Sequence, residues 1–277
     1  MKLQNSIYIG ANNRKSLIDF ELPADQETKT ILVFIHGYKG YKNWGCWDLV
    51  QRYFVLNGYG FCKFNLSHNG GTVDNPIDFP DLDAFAENRY TYELIDIQKV
   101  LDWLETKVTI SNYNVYLVGH SRGGGDAILS GADNRITGVI TWSSIADVAM
   151  RFPTGDELNE WKQKGVRYVK NARTNQDMPH NYTMYEDWLN NQSTLDISSK
   201  AKQLKRLNKR CFHIHGDSDE AVSITESEKL SNWTRGKLII IRSGNHTFNS
   251  KQPWKNEKLP SKLKEVCTLT KQFISNV

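Results

Sequence analysis

Ser121 stands at the centre of Gly-His-Ser-Arg-Gly, Gly119 to Gly123, where an apolar run, VYLVG, gives way to an amphipathic segment. A serine hydroxyl is a weak nucleophile. It must stand on a sharp, exposed turn within reach of a histidine that takes its proton. Glycines on either side of the serine permit that turn and let the following helix pack close to the preceding strand. A helix that begins at the serine also aims free N–H groups at a reacting carbonyl, favouring the negative oxygen that develops during attack. The backbone N–H of Arg122 is therefore the expected first oxyanion donor.

The second donor is expected from the loop after the third strand, HGYKG, His36 to Gly40, with the backbone N–H of Tyr38 as the candidate. In sheets that carry such a nucleophile turn, the partners follow in the order serine, acid, histidine. Seven histidines can be sorted by that order. His36, His68, His120 and His180 precede the last strands, His213 lies within a strand and His215 ends it. His246, in SGNHTF after the strand KLIII, falls on a late strand-end loop and is the expected general base. The acid belongs in the loop after the preceding strand, where HGDSDEAV offers Asp217, Asp219 and Glu220. Asp219 is preferred, since Asp217 directly follows Gly216 and suits the capping of turn N–H groups. Asp147, shortly after the strand ending at Trp142, is a more remote alternative.

These residues need a scaffold, and hydrophobic patterning supplies one. ILVFI, Ile31 to Ile35, reads as a strand covered on both faces. Trp47 to Leu56 follows at helical spacing, and Gly60 to Phe64 reads as a second buried strand. After a polar loop from Ser67 to Asp83, a helix from about Tyr92 to Glu105 leads to the strand Val115 to Gly119. A helix after Ser121 then leads to a strand ending at Trp142. Strands alternating with helices imply a parallel sheet with right-handed crossovers. The rhythm breaks between about 145 and 198, a stretch rich in Trp, Tyr, Asn and charge with Pro153 and Pro179 interrupting any long helix, which reads as an inserted cap. It resumes with a helix from about Ser198 to Leu207, the strand Cys211 to Gly216, a helix near Ser223 to Trp233, the strand Lys237 to Ile241 and a last helix from about Pro260. The expected fold class is α/β: a mostly parallel, doubly wound sheet of about eight strands with a cap inserted after the sixth. Residues 1–277 would form a single domain.

The 277 residues carry 35 Lys and Arg against 31 Asp and Glu, a net charge of +4. That is too mild and dispersed for a phosphate-tracking surface, so no nucleic-acid partner is expected. Basic runs at Lys200 to Arg210 and Lys251 to Lys264 mix with apolar positions at helical spacing and read as solvated helix faces. The opening MKLQNSIYIGANNRK lacks a signal-peptide core, and no stretch approaches the roughly 18 apolar residues of a membrane span. A cytoplasmic protein without a membrane partner is the expectation. Cys46, Cys62, Cys211 and Cys267 are scattered without zinc spacing and read as reduced, structural thiols, so no metal site is expected.

With these residues in place, the chain resembles bacterial cytosolic α/β-hydrolases of the dienelactone-hydrolase-like and serine carboxylesterase groups, including feruloyl-esterase-like enzymes. The resemblance rests on HGYKGYKNWG, FNLSHNGG, GHSRGGG, HGDSDEAV and GNHTF, in that order over nearly the whole chain. It implies a Ser121, Asp219, His246 triad, an oxyanion pair at Tyr38 and Arg122, and ester hydrolysis through an acyl-enzyme without metal or organic cofactor. Serine stands where dienelactone hydrolases carry cysteine, which argues against a dienelactone substrate. A small-molecule ester and a monomer or homodimer are the expected partner and state. An amide or thioester would use the same triad, and a non-catalytic binding role is the alternative of a different class.

Specificity is less legible. His68 and Asn69 follow a strand end, where they either line a substrate pocket or stabilise a turn. Trp161 and Trp188, with Tyr168, Tyr182 and Tyr185, either form an apolar lid over the substrate or fill the inserted lobe's own core. Trp44 and Trp47 near the Tyr38 loop present the same choice. The Arg122 side chain either contacts substrate or pairs with an acidic neighbour.

Overall fold

The structure, a computed structural model, describes residues 1–24 and 28–275. Its centre is an eight-stranded sheet in the order β1-β2-β4-β3-β5-β6-β9-β10. Here β1 is Lys2–Ile9, β2 Lys15–Glu21, β3 Thr30–Ile35, β4 Gly60–Phe64, β5 Asn114–His120, β6 Ile136–Trp142, β9 Arg210–Gly216 and β10 Lys237–Ile241. β1 and β2 are antiparallel to their neighbours and the remaining pairs are parallel. The reversal of strand order lies between β3 and β5, so the loops after these two strands open a crevice at their carboxyl ends.

The sheet is covered on both faces. On one side, α3 (Tyr90–Glu105), α4 (Arg122–Ser130), α7 (Ile197–Arg206) and α8 (Ile224–Thr234) bury Leu101, Ile128, Leu204 and Leu230 against Ile31, Val33, Leu117 and Val139. On the other, α1 (Trp47–Leu56) and α9 (Ser261–Ser275) pack Phe54, Val266 and Ile274 against Phe34, Val118 and Ile214. Alternate residues of the central strands feed opposite cores, the reason Ile31 to Ile35 of β3 is apolar throughout. The four cysteines are buried and free. Among the described residues, no helix is long and apolar enough to cross a membrane.

Two local features differ from the patterning. The polar loop after β4 ends in a short helix, α2 (Leu82–Ala86), whose N-terminus is capped by Asp81 accepting from the Ala84 N–H at 2.9 Å. Such a single turn is too short to show a helical period. The insertion after β6 contains a separate hairpin, β7 (Val166–Asn171) with β8 (Gln176–Asn181), between α5 (Gly155–Lys164) and α6 (Thr183–Asn190). Pro179 is tolerated there because a two-stranded ribbon is all edge.

Burial has a titration consequence. His36 and His68 are held down to about 4, and His120, His180 and His213 to about 3, chiefly because burial disfavours the imidazolium. Each is neutral when folded and gains a proton on unfolding below its ordinary value, so stability is lost as pH falls from about 6.5 toward 4. Asp96, pushed up to about 7 by burial, and Asp126, raised well above the usual carboxylate range by burial and the neighbouring Glu93, act in the opposite sense. The five histidines outnumber the two acids. Urea unfolding should therefore show stability falling between pH 7 and pH 5, by about 1.4 kcal/mol per pH unit for each net proton taken up. Stability that stays flat or rises across that interval would contradict the assignment.

Candidate active site

β5 ends at His120, and Ser121 turns the chain into α4 with φ 57° and ψ −121°. A non-glycine residue held in such a conformation costs on the order of 1–3 kcal/mol, and surrounding contacts must enforce it. The Ser121 N–H donates to the Trp142 carbonyl at 2.9 Å, and its own carbonyl accepts from Gly124 at 3.0 Å and Ile145 at 3.3 Å. The turn closes so tightly that a Cβ on Gly119 would lie 2.0 Å from the Gly123 carbonyl oxygen. One on Gly123 would lie 2.5 Å from the carbonyl oxygens of Ile35 and His36. α4 is thereby held against the end of β3.

The β3 loop reaches the same place from the neighbouring strand. Gly37 lies against the Ser121 side chain, and Tyr38 follows it. Neutral His36 braces this loop, donating from Nδ1 to the Gly37 carbonyl at 2.9 Å and accepting at Nε2 from the Leu66 N–H at 3.1 Å. Lys42 anchors its far end: its N–H donates to Asn65 Oδ1 at 2.7 Å and its ammonium to Asp19 at 2.7 Å. Asp19 also accepts from Lys63 at 2.7 Å, and Lys63 in turn reaches Asp48 at 2.7 Å. Both lysines are nearly devoid of solvent contact, and the carboxylates supply the counter-charge that their burial requires.

His246 stands on the loop after β10. Its Nδ1 lies 2.8 and 3.0 Å from the two carboxylate oxygens of Asp219. A carboxylate only accepts, so Nδ1 carries the hydrogen, and in the neutral ring the lone pair is on Nε2. The His246 carbonyl accepts from His120 Nε2 at 2.8 Å, fixing the loop to the residue beside Ser121.

Asp219 is enclosed by donors. It accepts from the Ala221 and Val222 N–H groups, each at 2.9 Å, and from His215 Nε2 at 3.1 Å as well as His246. Burial opposes its ionisation, but the hydrogen bonds from His215, His246 and Val222 hold it well below the usual carboxylate range. Asp217 instead accepts from the Ser243 N–H at 2.7 Å and the Ser218 hydroxyl at 2.9 Å, closing its own turn. Asp147 accepts from Ala149 at 2.8 Å. Of the three candidate aspartates, Asp219 is the one bonded to His246.

Two cavities meet at this point, both bordered by Tyr38, Lys39, Ser121 and His246. The smaller, of about 230 Å³, is walled by Trp44, Trp47, Asn171 and Arg173. The larger, of about 410 Å³, extends beneath the insertion between Tyr90, Phe152, Met184 and Val222. Arg122 borders it too. Its guanidinium lies 4.6 Å from the Tyr38 ring and 4.8 Å from that of Tyr90, and 3.3 Å from buried Glu93. Its side chain is thus paired with an acid, the second of the two roles its sequence position allowed. Among the described residues, no group of His, Cys, Asp or Glu is arranged to hold a metal ion.

Four expected pocket residues lie elsewhere. His68 is buried, bonded through Nδ1 to the Ser67 hydroxyl at 2.8 Å and packed on Tyr92. Asn69 bridges the turn, accepting from the Gly71 N–H at 3.0 Å and donating to the Gly40 carbonyl at 3.2 Å. Both stabilise loops instead of lining either cavity. Trp161 donates to the His180 carbonyl at 2.8 Å and packs on Phe152, and Trp188 packs on Phe152 and Tyr185, so both serve the insertion's own core. An aromatic residue in a small lobe is needed first for the lobe to fold.

His180 and Arg167 also reach this site, with no local signal in the sequence to mark them. His180 meets the Tyr38 hydroxyl at 2.7 Å and joins the insertion to the β3 loop, and Arg167 borders the larger cavity. Neither belongs to a motif, and only tertiary packing brings them to the site.

Residues 32–253 match the model of the alpha/beta hydrolase family. No curated protein matches the sequence significantly. Among solved structures, Est1E from Butyrivibrio proteoclasticus with ferulic acid bound is similar at 18% identity and a TM-score of 0.72, over 98% of each chain. An esterase domain from a Rhodothermus marinus protein matches at 14% identity and 0.59, covering 88% of this chain and 89% of its own. A serine hydrolase from Xanthomonas campestris, described as without lid, matches at 13% identity and 0.59, over 99% of this chain and 94% of its own. The strand order, the turn at Ser121 and a family match across more than half of the sequence lead to one assignment: the chain belongs to the alpha/beta hydrolase family.

Proposed function

We propose that this hydrolase cleaves small or medium carboxylic esters through an acyl-enzyme on Ser121. The observation that carries the reading is the His246 imidazole, oriented by Asp219 at 2.8 Å and bordering, with Ser121, both cavities. The described esterase and serine hydrolase of the same fold add support.

In the first half-reaction, Ser121 Oγ bonds to the ester carbonyl carbon while His246 Nε2 takes the hydroxyl proton. The backbone N–H groups of Tyr38 and Arg122 hold the resulting oxyanion, aided by the N-terminus of α4. Collapse breaks the bond to the alkoxy oxygen, and His246 returns the proton to the leaving alcohol. Water then repeats the sequence on the acyl-enzyme, releasing the acid and restoring Ser121. Asp219 stays ionised throughout and stabilises the imidazolium that forms at each step, a role suited to its depressed pKa. The insertion acts as a cap that closes the larger cavity over the substrate.

A fluorophosphonate probe should label the folded protein at Ser121, with labelling lost in Ser121→Ala. Absence of labelling in folded wild type would sink the serine mechanism. For the acid, Asp219→Asn should lower kcat on a p-nitrophenyl ester by roughly 10²-fold or more. Asp217→Asn, which only loosens a turn, should cost far less, and the reverse ranking would reassign the role.

A further inference from the structure

The larger cavity holds more positive charge than its own acids neutralise. Four cations border it: Lys39, Arg122, Arg151 and Arg167. Arg122 is paired with Glu93 and Arg151 with Glu226. Burial and the neighbouring Glu93 push Asp126, near Arg122, well above the usual carboxylate range, which favours its neutral form.

Arg167 has no such partner. Among the described residues, no carboxylate lies within ion-pairing distance of it, and Glu157 of α5 acts only at longer range. Its guanidinium lies 4.5 Å from the Trp161 ring, which orients the plane, while its Nε is buried without an acceptor. Lys39 reaches only the Lys170 carbonyl, at 3.5 Å, and the Tyr38 ring. His180 stands among these cations at 3% exposure, and its Nδ1 also lacks a partner. Like charges gathered in a half-enclosed space repel, and donors without acceptors cost free energy, unless an anion enters.

We infer that the larger cavity binds an anionic substrate, a carboxylic ester carrying a second, ionised carboxylate on the arm that enters beneath the insertion, with Arg167 as the anchoring cation. A planar guanidinium offers two parallel N–H donors, which match the two oxygens of a carboxylate. Tyr90, Phe152 and Met184 supply the apolar wall along which the arm lies. The bond cleaved remains the ester bond at Ser121, so the inference rests on the proposed hydrolase reading and adds the class of substrate to it.

The test compares matched esters on the full chain. One pair is the mono-p-nitrophenyl ester of suberic acid and the same compound with its free carboxylate methylated. The other is p-carboxyphenyl acetate and its methyl ester. In at least one pair kcat/KM should favour the anion by roughly tenfold or more, mainly through KM, and the preference should shrink with added salt. Arg167→Gln should bring the ratio to about one, while Arg167→Lys, which keeps the charge without the planar fork, should retain part of it. Cleavage of the neutral esters with no preference for the anions, or a preference that survives Arg167→Gln, overturns the inference and leaves the hydrolase reading intact. If no ester is cleaved and Ser121 takes no fluorophosphonate, the hydrolase reading fails. Calorimetry on Ser121→Ala then decides the anion site: monomethyl suberate should bind more tightly than dimethyl suberate, an advantage that Arg167→Gln removes. Equal binding overturns the site.

Discussion

The backbone crossing between Gly119 and Gly123 is the constraint from which the rest of the site follows. No side chain fits there, and α4 can therefore sit against the ends of β3 and β5. That closeness forces Ser121 into a conformation that serine avoids, and the hydrogen bonds to Trp142, Gly124 and Ile145 hold it. It also brings the first N–H groups of α4 beside the β3 loop, so two separate chain segments converge on one point. The strain at one residue is borne by the hydrogen-bonded ladder around it, which is why the turn sits in the middle of the sheet and not at an edge.

Electrostatics completes what the turn begins. Asp219 is surrounded by donors and stays ionised despite its burial, and this fixes the tautomer of His246. His120 and His36 stay neutral and act as rigid braces, one for the His246 loop and one for the Tyr38 loop. The same element type thus has opposite tasks within a few ångströms. Its neighbours decide which: a carboxylate beside His246, backbone groups and apolar walls around the other two.

Much of this was legible in the sequence, because the relevant signals are local. Apolar runs marked the strands, and GHSRG marked the turn through its immediate flanks. Asp219 and His246 followed from their places after β9 and β10, where strand ends meet regardless of loop detail. The pocket was not legible. His68 and Asn69 stand in the right part of the chain, but their side chains satisfy their own turns and the Gly40 carbonyl. Trp161 and Trp188 are spent on packing within the inserted lobe, against Phe152. Conversely, Arg167 and His180 carry no local signal, since what matters about them is the charge and the hydroxyl they face across the fold. Pattern reveals periodicity and turns, whereas partners separated by a hundred residues or more need the tertiary structure.

The bond between the Tyr38 hydroxyl and His180 joins a loop of the sheet to a hairpin that the sheet does not contain. The insertion leaves after β6 and returns at α7 without adding a strand to the main sheet, yet its Phe152, Trp161 and Met184 join the core that covers one face of that sheet. Exchanging this lobe for another removes the brace on Tyr38 together with Arg151 and Arg167, while Lys39 and Arg122 stay with the sheet. Changes in the charge of the larger cavity and in how firmly the Tyr38 loop is held are then inherited as one trait.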